Sequence, residues 1–174
     1  MALAVCLLFD GRSEQRLRAL WSRLEDAGIT TLATHTHGHH HPHLSYAVLR
    51  EWDLPSVQAA LVGLPDGGGF SLSFHGTLLF PRGRAALAPS ITADVARRQQ
   101  QVAAAVVATG ADLHRNYAAG DWVPHVSVAT RASSADLPVV TKAIADVLPL
   151  NVIVDRAALV DSATGQTWQL PHIP

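Results

Sequence analysis

The chain has 174 residues, of which 48% are hydrophobic and 16% are charged, and its formal net charge at pH 7 is −1. This length and composition predict one folded domain, or two small lobes that share a core, and they exclude a disordered chain. The near-neutral charge excludes binding to nucleic acid through a broad basic surface, so we expect any contact with RNA to be local and confined to an RNA end.

The first half of the sequence predicts a buried strand, a helix, a second strand, a short helix and a third strand. These elements are expected at Leu3–Phe9, 13–27, His43–Leu49, 53–62 and Phe70–Phe80. The first strand contains the single cysteine, Cys6, which we interpret as a buried, unreactive thiol. No basic segment precedes this strand, and no apolar run approaches the roughly 20 residues that span a bilayer. We therefore expect a cytoplasmic protein that has neither a signal peptide nor a membrane segment.

The second half repeats this order of elements. It predicts a strand at 85–89, a helix at 92–109, a strand at 125–129, a helix capped by Ser133 or Ser134, a strand at 151–160 and a hairpin partner at 167–170. A shift of 82 positions aligns the halves and places His43 on His125 and Ser45 on Ser127. We therefore predict two approximate repeats, 1–82 and 83–174, which form similar lobes around a central cleft.

Both halves carry the same motif, a proline followed by a histidine, an apolar residue and a serine, at 42–45 and 124–127. Residues two apart on a strand face the same side, so each histidine shares a face with its serine. In phosphodiester cleavage, one imidazole accepts a proton from the attacking oxygen while another protonates the departing oxygen. The motifs thus predict His43 and His125 as catalytic residues, with the hydroxyls of Ser45 and Ser127 binding the phosphate oxygens.

The two motifs, together with the segment FSLSFHGTLLFPRGRAALAP at 70–89, resemble the two-histidine phosphoesterases, and within them the bacterial 2′-5′ RNA ligase and cyclic phosphodiesterase branch. The resemblance covers nearly the whole chain. It implies an α+β fold of two pseudo-symmetric lobes, each an antiparallel-rich sheet with helices packed outside, and an active cleft between them. It also suggests His43 as the proton donor and His125 as the acceptor, although pseudo-symmetry permits the reverse.

The implied activity is hydrolysis of the 2′,3′-cyclic phosphates of RNA ends or nucleotides to 2′-phosphates, in some relatives with reversible 2′-5′ RNA ligation. The implied enzyme is a monomer that needs no metal or other cofactor and acts on neither DNA nor membranes. Relatives usually carry threonine where this chain has Ser45 and Ser127, and they often have an arginine five residues after the second histidine. Here that position is Thr130, and Arg131 follows it. A one-residue shift on a strand reverses the face, which argues against a phosphate contact from Arg131.

Further candidates lie near the motifs. Trp122 and Arg82 are predicted to contact the substrate, by base stacking and by phosphate binding respectively. The residues at 75–77, His-Gly-Thr, also fit the pattern of a histidine two residues before a hydroxyl side chain. Nothing in the other half corresponds to His75, so we interpret it as a structural residue.

Two other functions are compatible with the sequence. The first is a non-catalytic module that binds RNA ends or nucleotides, although binding alone does not require an acid and a base. The second is a histidine-rich metal-binding protein, because the run at 35–41 contains five histidines, at 35, 37, 39, 40 and 41. No cysteine or carboxylate stands within this run, so we interpret it as a solvated loop at the rim of the cleft.

Overall fold

The computed structural model describes residues 2–174, which form one seven-stranded antiparallel sheet with four α-helices. In chain order the elements are β1 (Leu3–Phe9), α1 (Gly11–Asp26), β2 (His43–Leu49), α2 (Leu54–Val62), β3 (Phe70–Phe80), β4 (Arg84–Ser90), α3 (Ala93–Ala108), a 3₁₀ turn (Arg115–Tyr117), β5 (Val126–Ala129), α4 (Leu137–Ala145), β6 (Leu150–Asp161) and β7 (Thr167–Gln169). The α+β class is confirmed. The seven strands form one continuous sheet, which the two predicted lobes would share.

The strand order is β2-β1-β6-β3-β4-β5, and β7 pairs with β6. If β1, β2 and β3 are exchanged with β4, β5 and β6, this order reads the same from the opposite end. The arrangement supports the proposal of two repeats, although β7 has no counterpart within the described residues. It also puts β2 and β5, the strands that follow the two histidine motifs, at the two edges of the sheet.

Both faces of β1 are buried, which explains why its sequence is apolar throughout. Leu3, Val5, Leu7 and Phe9 belong to the main core between the sheet and the helices. The alternate residues belong to a second, smaller buried cluster on the opposite face of the sheet, formed by Ala4, Cys6, Leu8 and Ala158. Within residues 2–174, none of the helices is long and apolar enough to span a bilayer.

The ends of two helices differ from the sequence prediction. The cap of α4 was predicted at Ser133 or Ser134, which is wrong: the helix begins at Leu137, and the carboxylate of Asp136 accepts a hydrogen bond from the Ser133 backbone N–H, 2.8 Å away. Proline at the second helical position, Pro138, favours this later start. Helix α1 begins two residues earlier than predicted because the Asp10 carboxylate caps it through the Ser13 N–H, at 2.8 Å.

Candidate active site

The two edge strands bring the two histidine motifs together. Strands β2 and β5 contact each other across an open cleft of about 530 Å³. His43, Ser45, His125 and Ser127 all line this cleft. The geometry on which the sequence interpretation depended, convergence of two distant histidines on one space, is therefore present in the structure.

Both histidines are held in the same way. The Nδ1 atom of His43 lies 2.7 Å from the carbonyl oxygen of His41, and Nδ1 of His125 lies 2.8 Å from that of Val123. A carbonyl oxygen only accepts hydrogen bonds, so Nδ1 carries the proton in each ring, and Nε2 remains for the cleft. In each case the bonded carbonyl belongs to the residue that precedes the proline of the motif. The ring of the proline fixes its φ, which favours the tight turn between this carbonyl and the histidine. The repeated proline of the motif thus has a structural purpose.

Burial is the main influence on the charge of the two rings, and it lowers the pKa of both. The hydrogen bonds from Nδ1 partly offset this effect. The pKa of His43 is lowered further by the charges of His125 and His41, and that of His125 by Arg84. Because protonation of one ring disfavours protonation of the other, the state with one neutral and one charged imidazole is favoured over the doubly charged state. Acid–base catalysis requires that state.

The floor of the cleft near the two rings is formed by small polar groups. The Sγ atom of Cys6 lies 3.9 Å from Oγ of Ser45, and burial raises the pKa of the thiol to about 12. Cys6 is therefore a neutral thiol at physiological pH, which excludes it as a thiolate nucleophile. The prediction that it is buried is confirmed, since it is 1% exposed.

Tyr117 also lines the cleft, and the sequence analysis missed it. Burial raises the pKa of its phenol to about 12, and the Ser45 hydroxyl partly counteracts this rise. The buried side chain of Gln99 on α3 fixes the tyrosine backbone, because its Nε2 donates to the carbonyl oxygens of Tyr117, at 2.9 Å, and of Tyr46, at 3.1 Å. No spacing signal marks Tyr117 in the sequence, since it lies in a 3₁₀ turn outside the repeated motif.

Two tryptophans bind the backbone of the two edge strands. The indole N–H of Trp21 donates to the carbonyl oxygen of Ser127, at 3.0 Å, and that of Trp122 donates to Ser45, at 3.1 Å. The Trp122 ring also packs edge-on against Tyr46, and it does not line the cleft. The structure therefore does not bring Trp122 to the position of a stacking platform. An edge strand leaves carbonyls without a neighbouring strand, and each indole satisfies one of them.

Arg84, rather than the predicted Arg82, influences the pKa of a catalytic candidate. Arg82 is exposed in the turn between β3 and β4, where its φ is +67°, and it does not line the cleft. Arg84 acts on the charge of His125, whose ring lies 4.8 Å from that of Phe80. His75, which the sequence analysis interpreted as a structural residue, is exposed on β3 and does not line the cleft.

The loop that connects α1 to β2, residues 34–42, contains the run of histidines and is named the histidine loop below. Its rings contact one another, with centroid separations of 4.0 Å for His37 and His40 and 6.2 Å for His35 and His40. Across residues 2–174, no three His, Cys, Asp or Glu side chains are grouped in a way that could hold a metal ion. The loop is less solvated than predicted, because His40 is only 8% exposed.

Comparisons with known proteins agree on the fold. The family model described as the 2′-5′ RNA ligase superfamily matches residues 9–166. The crystal structure of Escherichia coli LigT complexed with 3′-AMP is 15% identical, with a TM-score of 0.61 over 98% of this chain and 97% of that chain. Kluyveromyces marxianus Usb1 with uridine monophosphate is 13% identical, with a TM-score of 0.53 over 98% and 97% of the two chains. A structure described as a phosphoesterase is 14% identical, with a TM-score of 0.59 over 97% and 93%. A search of curated protein sequences found no match.

Proposed function

Since the chain belongs to the 2′-5′ RNA ligase superfamily, we propose that it is a metal-independent phosphoesterase that hydrolyses the 2′,3′-cyclic phosphate of an RNA end or nucleotide to a 2′-phosphate. The observation that carries the proposal is the matched pair of imidazoles: His43 and His125 line one cleft, and each has its Nδ1 occupied and its Nε2 available. DNA is not a substrate because it lacks the 2′-hydroxyl that forms the cyclic phosphate.

In the proposed reaction, neutral His125 takes a proton from water as the water oxygen attacks phosphorus. The bond between phosphorus and O3′ breaks, and protonated His43 transfers its proton to O3′, which leaves a 2′-phosphate and a 3′-hydroxyl. The positive charge of Arg84 disfavours protonation of His125, which suits a base. The hydroxyls of Ser45 and Ser127 donate to the non-bridging oxygens as negative charge develops there. Attack by a 5′-hydroxyl in place of water, with the same departure of O3′, would give a 2′-5′ linkage.

The proposal is tested with 2′,3′-cyclic mononucleotides and RNA ending in a 2′,3′-cyclic phosphate, in excess chelator. We expect turnover to the 2′-monophosphate, identified by chromatography against the 2′ and 3′ isomers, and no turnover of 3′,5′-cyclic nucleotides. Loss of activity in chelator would contradict metal independence. Tight binding without turnover of any cyclic phosphate would contradict the proposed activity and favour a non-catalytic binding module.

Arg84 and Arg82 form a matched pair of variants. Replacing Arg84 by alanine removes the charge that lowers the pKa of His125, so this pKa should rise. Because catalysis needs neutral His125, the acidic limb of the kcat/KM profile should move to higher pH, and KM should rise several-fold through loss of attraction to the phosphate. Arg82→Ala should leave the profile in place. A rise in KM only for Arg82→Ala would instead favour the contact predicted from the sequence.

A further inference from the structure

The only basic side chains that line the cleft, among the described residues, are histidines. Within the described part of the chain, its lining contains no Lys, Arg, Asp or Glu, and its other ionisable side chains are Cys6 and Tyr117. A phosphate in the cleft can therefore meet a positive side chain of the lining only at an imidazole. Two of the four imidazoles are His43 and His125, and the other two, His35 and His40, belong to the histidine loop. The proposed reaction leaves this second pair without a role.

The histidine loop is fixed against α1. The guanidinium of Arg18 donates to the carbonyl oxygen of His40, at 3.1 Å, and Nδ1 of His41 lies 2.8 Å from Oε1 of Glu14. Inside the loop, Oγ1 of Thr36 lies 2.8 Å from Nε2 of His40. These contacts order the loop and thereby hold the His40 ring at the cleft.

The loop is also fixed against the turn that follows β6. A Cβ atom on Gly165 would lie only 2.6 Å from the ring of His37, so a glycine is needed for the loop to pack here. Because the histidine loop is held on two sides, the wall that it forms in the cleft is ordered before a ligand binds. A preorganised surface binds a ligand without a large cost of ordering.

The cleft is large enough for a nucleoside. A volume of about 530 Å³ is far more than one phosphate group fills and lies within the range of small-molecule sites. Apart from the small polar groups near Ser45, the floor is apolar and includes Ala2, Ala4, Val48 and Val160. Ala2 immediately precedes β1 and is four residues from Cys6, so the floor extends roughly 13 Å from the thiol beside Ser45. The cleft thus offers acid–base groups, an apolar surface and the imidazoles of the histidine loop.

We propose that His35 and His40 form a second anion subsite, which binds the 5′-phosphate of the nucleotide whose cyclic phosphate reacts between His43 and His125. This inference rests on the proposed function for the identity of the reacting group. It makes the preferred substrate a 5′-phosphorylated nucleotide or an RNA end of two or more nucleotides, rather than a nucleoside cyclic phosphate.

Binding at this subsite takes up a proton. The pKa of His40 is lowered to about 4, mainly by burial. The charges of four other histidines, at 37, 43, 35 and 41, lower it further. From α1, Arg18 and Glu14 also face the loop and contact it. A bound phosphate favours the charged form of His40 and raises its pKa, so binding and protonation are coupled. The advantage given by a 5′-phosphate should therefore decrease between pH 6 and pH 8.

Calorimetry at pH 6 with adenosine 3′-monophosphate and adenosine 3′,5′-bisphosphate measures this subsite without requiring turnover. In the wild-type protein, we expect the bisphosphate to bind about tenfold more tightly. In His35→Ala the preference should fall below about twofold. His39→Ala is the matched control, because His39 lies in the same loop, is exposed and does not line the cleft, and it should keep the full preference.

Kinetics separate this inference from the proposed function. With nucleoside 2′,3′-cyclic phosphates that carry or lack a 5′-phosphate, His35→Ala should lower kcat/KM about tenfold only for the 5′-phosphorylated form. An equal loss for both substrates, or the same loss in His39→Ala, overturns the subsite and leaves the proposed function standing. A preference for the bisphosphate that depends on His35, without turnover of any cyclic phosphate, supports the subsite and rejects the proposed function.

Discussion

Replacing either His43 or His125 by alanine should lower turnover of a 2′,3′-cyclic phosphate by about 10²–10⁴-fold, because each change removes one of the two proton-transferring groups. Neither ring is needed to complete the main hydrophobic core, so the fold should persist. Circular dichroism and thermal unfolding would verify this before the kinetics are compared. His75→Ala is the matched control, since His75 also begins a His-x-Thr motif but does not line the cleft, and it should retain full activity.

The pH dependence of the two variants distinguishes acid from base. Because burial lowers the pKa of both rings, kcat/KM of the wild-type enzyme should be maximal on the acidic side of about pH 6.5. If His125 is the base, His125→Ala should lose the acidic limb of the profile. If His43 is the acid, His43→Ala should lose the alkaline limb. Exchange of the two results would reverse the roles, and unchanged activity in the double variant would contradict catalysis by this pair.

Sequence reasoning succeeded where the signal was local. The alternation of apolar and polar residues places β2 at His43–Leu49, and the continuous apolar run places β1 at Leu3–Phe9, both with the bounds observed. The convergence of the two histidine motifs in one cleft was also predictable, because the same motif occurs at the same point of two similar halves. When a local motif recurs at the same point of two repeats, the symmetry of the repeats predicts that the two copies lie close together in the fold.

The features that sequence reasoning missed depend on contacts between distant residues. The two halves form one sheet because β6 pairs with both β1 and β3, as in Phe70 opposite Val154, and none of these strands has a local sequence signal that identifies its partner. Tyr117 reaches the cleft because Gln99, on another element, holds its backbone. Arg82 and Arg84 lie on either side of the end of the turn between β3 and β4, where Arg82 and Gly83 both have positive φ, and only Arg84 acts on the charge of His125.

The hydrogen bonds from the two tryptophans to the edge strands give a physical reason for the separation of β2 from β5. Two edge strands that face each other can pair directly and close the sheet. Here one carbonyl of each strand is instead occupied by an indole, from Trp21 at Ser127 and from Trp122 at Ser45. We infer that the indoles keep the edges apart and so maintain the width of the cleft between the two histidines.

Trp21 should contribute the most to stability among the cleft-supporting residues, because it is only 1% exposed and bridges α1 and β5. Trp21→Ala should lower the free energy of unfolding by about 3–5 kcal/mol through the cavity it leaves. Trp21→Phe keeps most of the ring but leaves the Ser127 carbonyl without its donor, which should cost about 1–3 kcal/mol.

Urea unfolding of Trp21→Phe and Trp168→Phe would measure the indole hydrogen bond itself. Trp168, on β7, is the matched control, because it is also packed against the core but donates to neither Ser45 nor Ser127. Displacement of β5 should also reduce kcat in Trp21→Phe, since His125 and Ser127 would move relative to His43, whereas Trp168→Phe should keep the wild-type kcat. If the two variants lose equal stability and retain equal kcat, the indole of Trp21 only fills space, and some other contact must keep the edge strands apart.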